Sequence, residues 1–355
     1  MQTRPNLSDI AKALGVSVAA VSNAMSSKGR ISEDLASTIR RKAAEMGYVP
    51  SLAGRALRTG RSGVLGLVLA DIANPLFPQI AQAIEKAASD VGYGVLIGDS
   101  RSDVRAQTHA INRLIERGAD GLIIVPRHGT RVTETRRPTV MIDTPSTPGN
   151  TVSADHWNGG ERIGGHLVSL GHRHIAVIGA YPDSNVQNDR LGGIKAAARD
   201  KAQVDALWVD ALERDHGAGC PLGLADMAAR GVTAFAALSD LFALRAVTEL
   251  QRAGIAVPDA ASVTGFDDLV WAAHMSPALT TMRMDMRRIA EIAVSDLARR
   301  IEAQFSDDEL PASPPDVARV PMDLVIRASS GPAPAAPQTS PCTPINHPSH
   351  ERVPS

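Results

Sequence analysis

Apolar residues run along this chain in two rhythms, and the change between them comes near residue 61. In the first stretch they recur three and four apart in short segments framed by capping residues, the spacing of amphipathic helices. Leu7, Ile10, Ala11 and Leu14 form one such stripe. Asn6 precedes it as an N-cap, Asp9 places a charge in its first turn and Gly15 ends it. Val16 is expected as a buried turn residue and Ser17 as a second N-cap, opening a helix in which Val18, Val21 and Met25 alternate with small, exposable positions. Ser32 caps a third stripe, Leu35, Ile39, Ala43 and Met46, closed by Gly47 where a left-handed residue is needed. Two short helices around one glycine make a helix-turn-helix candidate, and three can close a small core.

From Val64 onward the texture becomes strand-like apolar runs alternating with amphipathic helices. Strands are predicted at Val64–Leu69, Val95–Ile97, Leu122–Val125, Thr139–Ile142, Ile175–Ile178, Leu207–Val209, Ala234–Leu238 and Ser262–Gly265. Helices fall near Pro78–Val91, Val104–Glu116, Gly159–Leu170, up to Arg199, Leu222–Ala229, Leu241–Ala253 and Met286–Ala303, before a last apolar run at Met322–Ile326. Alternation of this kind builds a parallel sheet, and about ten strands are many for one sheet, so two α/β lobes are expected. Between the two rhythms, Ser51-Leu52-Ala53-Gly54-Arg55-Ala56-Leu57-Arg58 is too short to be a stable helix alone in water and reads as a linker that orders conditionally. The Pro/Ser-rich end from Ala328 is expected to be disordered.

Composition adds one asymmetry to this picture. The 355 residues carry 37 Lys+Arg against 38 Asp+Glu, a net charge of −1, yet residues 1–61 hold ten bases and four acids, a net +6, leaving −7 on the rest. A basic head suits a polyanion, because each neutralised phosphate releases counterions, while an acidic body limits indiscriminate association. No run of 18 apolar residues offers a membrane span, and the first residues lack a secretory core, so a cytoplasmic protein with no membrane partner is expected. Cys220 and Cys342 are too far apart to suggest a disulfide framework or a metal site, and no cofactor is implied. Enzyme fingerprints are missing: no G-x-S-x-G, P-loop, H-E-x-x-H or strand-borne G-x-G-x-x-G occurs, and His172 and His174 read as a helix-end cation and a strand-edge residue.

Over residues 3–327 the chain resembles the LacI/GalR family of bacterial transcriptional regulators. The residues that carry the resemblance, in chain order, are Leu7-Ser8-Asp9-Ile10-Ala11-Lys12, Gly15-Val16-Ser17-Val18-Ala19-Ala20-Val21-Ser22, Gly47-Tyr48-Val49-Pro50, Arg55-Ala56-Leu57-Arg58-Thr59-Gly60-Arg61, Asp71-Ile72-Ala73-Asn74-Pro75-Leu76-Phe77, Gly171-His172-Arg173-His174-Ile175-Ala176 and Gly265-Phe266-Asp267-Asp268. The resemblance implies a small all-α helix-turn-helix head over residues 1–50 and a hinge over 51–61. It further implies an α/β core of two parallel-sheet, Rossmann-like lobes over 62–327, shaped like a periplasmic binding protein, ahead of the 328–355 tail. It also implies a homodimer on a near-palindromic double-stranded operator, controlled by a small molecule that is most simply a carbohydrate. Three alternatives stay open: control by a protein partner, a non-sugar, purine-like metabolite, or a sugar receptor without DNA function.

A recognition helix reads base edges near its N-terminus, here Val18 and Ala19, with Ala20, Ser22 and Asn23 nearby. Relatives commonly carry Thr, Ser and Arg at the last three positions, so thymine-methyl contacts from Val18 and Ala19 and hydrogen bonds from Asn23 are what remain. Ser17, Ser22, Ser26 and Ser32 can donate to phosphates, with Arg30 adding charge at the turn; Ser17 and Ser32 serve equally as helix caps. Leu57 matches the family's hinge leucine, an apolar wedge between base pairs in the minor groove, or else packs as an ordinary linker residue.

A ligand between two α/β lobes sits at the carboxyl ends of strands. By resemblance Asn74, Leu76 and Phe77 line that cleft from one lobe and Asn158 and Arg190 from the other; Asp267, at a strand end, can accept two hydroxyl hydrogen bonds. Arg190 and Asp267 could instead be a buried structural ion pair. Ser239 stands where the family often has Asn, and Glu213-Arg214-Asp215-His216 offers no stacking ring; Trp157 could substitute, or be core. Gly54 lowers the helix propensity of the hinge by about 1 kcal/mol relative to Ala. Gly54→Ala should therefore tighten operator binding, and unchanged or weaker affinity in a DNA titration would contradict this.

Overall fold

The computed structural model describes residues 5–26, 31–48, 60–101, 103–126, 135–147, 149–304 and 318–335. Arg30, Leu57, the side chain of Ser26, most of the expected hinge and the tail beyond residue 335 lie outside the described residues.

The head is three helices, α1 (Leu7–Leu14), α2 (Val18–Ser26) and α3 (Glu33–Glu45). Asn6 and Asp9 form a reciprocal capping box: the Asn6 side chain accepts from the Ser8 and Asp9 amides, and the Asn6 amide donates to Asp9 at 2.9 Å. Gly15 then turns the chain at φ 65°, a left-handed conformation that suits glycine. Ser17 caps α2 by accepting from the Ala20 amide at 3.1 Å, whereas Ser32 takes the N-cap backbone position without a side-chain bond. Ile10, Val21 and Ile39 meet at full burial, with Ala24, Ala36 and Ala43 letting the helices approach. Each branched chain so buried contributes about 1.5–3 kcal/mol, a large share for so small a unit.

The core begins with β1 (Val64–Leu69), α4 (Leu76–Asp90), β2 (Gly94–Asp99), α5 (Val104–Glu116), β3 (Gly121–Ile124) and β4 (Thr139–Met141). These strands form a parallel sheet in the order β2-β1-β3-β4. The chain crosses through β5 (Val152–Ala154) into a second lobe: α6 (His156–Ser169), β6 (His174–Gly179), α7 (Asn185–Ala198), β7 (Gln203–Trp208), α8 (Val209–His216), α9 (Leu224–Ala229), β8 (Ala234–Ala237), α10 (Asp240–Arg252), β9 (Ser262–Phe266) and β10 (Thr280–Met284). Helix α11 (Met286–Ala303) returns to the first lobe, where Leu297 and Ile301 lie against Gly121, before β11 (Ala318–Val320) and β12 (Met322–Val325). The second sheet runs β12-β10-β9-β8-β6-β7, parallel except for β12, and β11 pairs with β5 at the crossover. No helix among the described residues is long and apolar enough to cross a membrane.

Several sequence expectations change here. The strand expected at Leu207–Val209 is β7, and Val209 already opens α8. Strand β10 escaped notice because Thr280-Thr281 reads as polar; both threonines are fully buried, and their hydroxyls are satisfied by Ser330 and Asp240. The tail expected to be disordered from Ala328 is instead packed over residues 328–335. Ser329 is fully buried, donates to the Val263 carbonyl at 2.6 Å and accepts from the Thr280 amide at 2.8 Å, and the Ala333 amide reaches the Leu170 carbonyl. His172 is no helix-end cation. It is buried among Thr233, Ser262 and the Gly331 carbonyl, and burial pushes its pKa below the ordinary histidine range, so the neutral ring is favoured.

Helices α6 and α7 touch backbone to backbone. A Cβ on Gly160 would lie 2.1 Å from the Arg190 carbonyl oxygen, and one on Gly193 2.0 Å from that of Trp157. Gly160→Ala and Gly193→Ala should each cost about 2 kcal/mol or more and lower the melting midpoint by several degrees. Gly165→Ala, on the same helix with open space around it, should not. Thermal unfolding of the three variants checks this, and equal midpoints would refute the contact.

Candidate ligand cavity and nucleic-acid interface

A cavity of about 750 Å³ opens between the lobes where the strands of both sheets end. Ala70 and Asp71 follow β1, Val125 and Pro126 follow β3, Ala180 and Tyr181 follow β6, Leu238 and Ser239 follow β8, and Asp267 follows β9. Parallel strands all release their chain on one edge, which is why residues remote in sequence converge here. Asn74, Leu76 and Phe77 line the cavity; the Asn74 side chain accepts from the Leu76 amide at 3.1 Å and so fixes the start of α4.

Arg190 and Asp267 both reach the cavity wall and bind each other. Arg190, 4% exposed, donates to Asp267 at 3.2 Å, to the Leu238 carbonyl at 2.6 Å and to His156 Nδ1 at 3.4 Å, with its guanidinium 4.5 Å from the centre of the Phe266 ring. Because Arg190 can only donate, His156 Nδ1 accepts, and burial together with the neighbouring guanidinium keeps that imidazole neutral. Burial pushes the Asp267 carboxyl up to about 6 against the pull of Arg190. Behind it Asp240, fully buried, accepts from the Leu269 amide at 2.8 Å and from Thr281; burial and then Asp267 push it up to about 8.

Asp267 and Asp268 both have positive φ, 111° and 49°, a conformation that costs roughly 1–3 kcal/mol per residue. Three side chains hold them there: Arg190 on Asp267, Asp240 on the Leu269 amide, and Arg327 on Asp268 at 2.7 Å.

Asn158 does not reach the cavity. Helix α6 starts at His156, and two residues on is about 200° around the axis, so His156 faces the cavity while Trp157 and Asn158 are exposed. Trp157, 45% exposed, covers Gly192 and is neither core nor part of the main cavity wall. Ser239 lines the cavity and caps α10 by accepting from the Phe242 amide. The rings at the wall are Phe77, Tyr181 and Phe242, whereas Glu213 pairs with Arg245 at 2.7 Å away from it. Sequence reasoning missed His156, Asp143, Tyr181, Gln187 and Phe242. Asp143 was within reach, since it directly follows the expected strand 139–142 at its carboxyl end.

On the head, α2 leaves Val18, Ala19 and Asn23 exposed and Ala20 and Ser22 half-buried, with Val21 and Ala24 turned to the core. This is the spacing of a helix with one face inward and a narrow, small-residue face outward.

Two family models match the head and the later part of the core. The family of bacterial regulatory proteins, lacI family, matches residues 6–51, and the periplasmic binding protein-like domain matches residues 165–330. The HTH-type transcriptional regulator DegA of Bacillus subtilis (strain 168) is 28% identical over 335 residues, 91% of this chain and 97% of that one. The HTH-type transcriptional repressor PurR of Aliivibrio fischeri (strain MJ11) is 27% identical over 310 residues, 83% of this chain and 91% of that one. The lac repressor dimer bound to operator and the anti-inducer ONPF superposes with a TM-score of 0.74 at 25% identity, covering 93% of this chain and all of that one.

The buried groups set a pH response. Asp143 and Asp267 at about 6 and Asp240 at about 8 bind protons in the fold that the unfolded chain has already released, so they lower stability as pH rises through that range. His156 and His172 act oppositely, since the unfolded chain protonates them more readily than the fold does, but their effect is confined below about 6.5. Between about pH 6.5 and 8 the acids act alone, and the urea midpoint should fall. Asp240→Asn, which keeps an acceptor for the Leu269 amide and cannot ionise, should flatten that fall; an unchanged slope would refute the assignment.

Proposed function

The chain belongs to the lacI family of bacterial regulatory proteins, and from that premise we propose an operator-binding repressor controlled by a small polyol, most simply a carbohydrate, held between its lobes. The observation that carries the effector reading is the two-walled cavity. Asn74 and Phe77 belong to one lobe and Arg190 and Asp267 to the other, so a ligand touching both sets favours one lobe arrangement over another. A volume of 750 Å³ suits a small molecule, and an amide, a carboxylate, a guanidinium and ring faces suit hydroxyl groups on an apolar frame. The three wall rings favour a planar, purine-like metabolite as the second reading.

On DNA, a homodimer would present two α2 helices to a near-palindromic operator. Val18 and Ala19 would contact thymine methyls, Asn23 base edges, and Ser17, Ser22, Ser26, Ser32 and Arg30 the backbone. Leu57 would wedge the minor groove at the centre. Effector binding, by changing how the lobes close, would turn the paired heads and release those hinges; operator and effector affinities then alter each other by the same factor.

A thermal-shift panel of sugars, sugar phosphates, polyols, sugar acids and nucleobases tests the cavity. A ligand at a hundredfold excess over its dissociation constant adds about 2.7 kcal/mol, a shift of several degrees. Phe77→Ala should weaken the hit about tenfold, about 1.4 kcal/mol, and the hit should change affinity for a duplex selected from a random pool. A folded, DNA-binding protein that answers to nothing in the panel would overturn the effector reading.

A further inference from the structure

The described cavity wall carries an excess of carboxylates. Asp71, Asp143 and Asp267 line it against one guanidinium, Arg190, and the one imidazole there, His156, is kept neutral. The charge of Arg190 is already met by Asp267 at 3.2 Å and by the Leu238 carbonyl. Asp143, by contrast, sits half-buried on the segment that crosses between the lobes. Its Oδ2 accepts from Thr147, whose hydroxyl in turn accepts from Asn185 at 3.1 Å, and its amide donates to Asn150. The charged side chain that bears on it is a second acid, Asp189, which accepts from Thr144 at 2.6 Å. Among the described residues no ion pair reaches Asp71, Asp143 or Asp189, so hydroxyls and amides are all that answer the charge of Asp143.

We propose that the effector carries a protonated amine, an amino sugar or amino polyol, whose ammonium group seats on Asp143 while its hydroxyls meet the Arg190–Asp267 end of the cavity. This rests on the reading of the cavity as the effector site. An ammonium is a compact charge with three donors and no acceptor, the complement of a partly desolvated carboxylate that has a like-charged neighbour. A hydroxyl in its place leaves the carboxylate covered and without a counter-charge from the described residues, and a carboxylate or phosphate adds repulsion, so the same wall rejects sugar acids and sugar phosphates. Burial, aided by Asp189 and opposed by Thr147, pushes Asp143 up to about 6, so its charge and the amine preference fade together on acidification.

Calorimetric titration of the full chain at about pH 7.5 tests this with matched probes: D-glucosamine, D-galactosamine and 1-amino-1-deoxy-D-sorbitol, against D-glucose, D-galactose and D-sorbitol, and against D-gluconate and D-galacturonate. At least one amine should bind ~10-fold or more tightly than its hydroxyl counterpart, and the acids more weakly than either. Asp143→Asn, which keeps an acceptor for Thr147, should level the amine and hydroxyl affinities, and at about pH 5 the wild-type preference should shrink likewise. Equal or better binding of the hydroxyl or acid probes, no binding of any amine, or an amine preference that survives in Asp143→Asn overturns the proposal. If a neutral or anionic probe binds where the amines do not, the cavity remains an effector site and only the amine assignment falls. If none of these probes and no sugar phosphate or nucleobase binds, the effector reading falls with it.

Discussion

A guanidinium only 4% exposed must be answered where it stands, and Arg190 is answered by groups just past the ends of two strands and at the start of one helix. Asp267 follows β9, Leu238 follows β8, and His156 opens α6, so satisfying one charge fixes α7 against the carboxyl edge of the second sheet. Removing one partner of such a pair leaves the other buried and uncompensated, at a cost of about 3–5 kcal/mol, which makes the arrangement hard to relax. The two positive-φ aspartates after β9 follow from this constraint. Their backbone strain is tolerable because Arg190, Asp240 and Arg327 each hold one point of the loop.

The same end of the lobe depends on places where a side chain is missing. Gly160 and Gly193 let α6 and α7 meet at the backbone, which sets His156 beside Arg190. Gly265 does the same for Asp240, whose carboxylate oxygen would lie 2.3 Å from a Cβ there. Close approach lets a fully buried acid bond the Leu269 amide and Thr281 at once; burial and the neighbouring Asp267 favour its protonated form, and these two hydrogen bonds only partly oppose that.

The lobes are tied by the path of the chain as much as by the cavity. Helix α11, late in the sequence, packs on the first lobe, β11 returns to pair with β5 at the crossover, and residues 328–335 seal the far edge of the second sheet over His172. Because each lobe holds segments from both halves of the chain, a ligand that draws the walls together acts on every crossing segment. Asp143 lies on one of those segments, so the charge at that wall and the path between the lobes are physically the same element.

Local signals made much of this legible. The Asn6 cap with Asp9 in the first turn, the glycines at 15 and 47, and helices 104–116 and 286–303 rest on interactions within a few residues, and spacing records those, whereas the cavity loop at Asn74, Leu76 and Phe77 was legible through the family resemblance. What failed depended on partners far away. Thr280 and Thr281 look polar until Ser330 and Asp240 take up their hydroxyls, and residues 328–335 look unstructured until strands β9 and β10 meet them. Asn158 and His156 differ by two positions on one helix, and only the packing of α6 on α7 decides which faces the cavity. The sequence by itself determined most of the order of helices and strands and the basic head, because these follow from periodicity, caps and charge, and its motifs in chain order carried the family resemblance. Tertiary structure alone decided which buried charges meet, since desolvation and Coulomb attraction depend on distances the linear order does not contain.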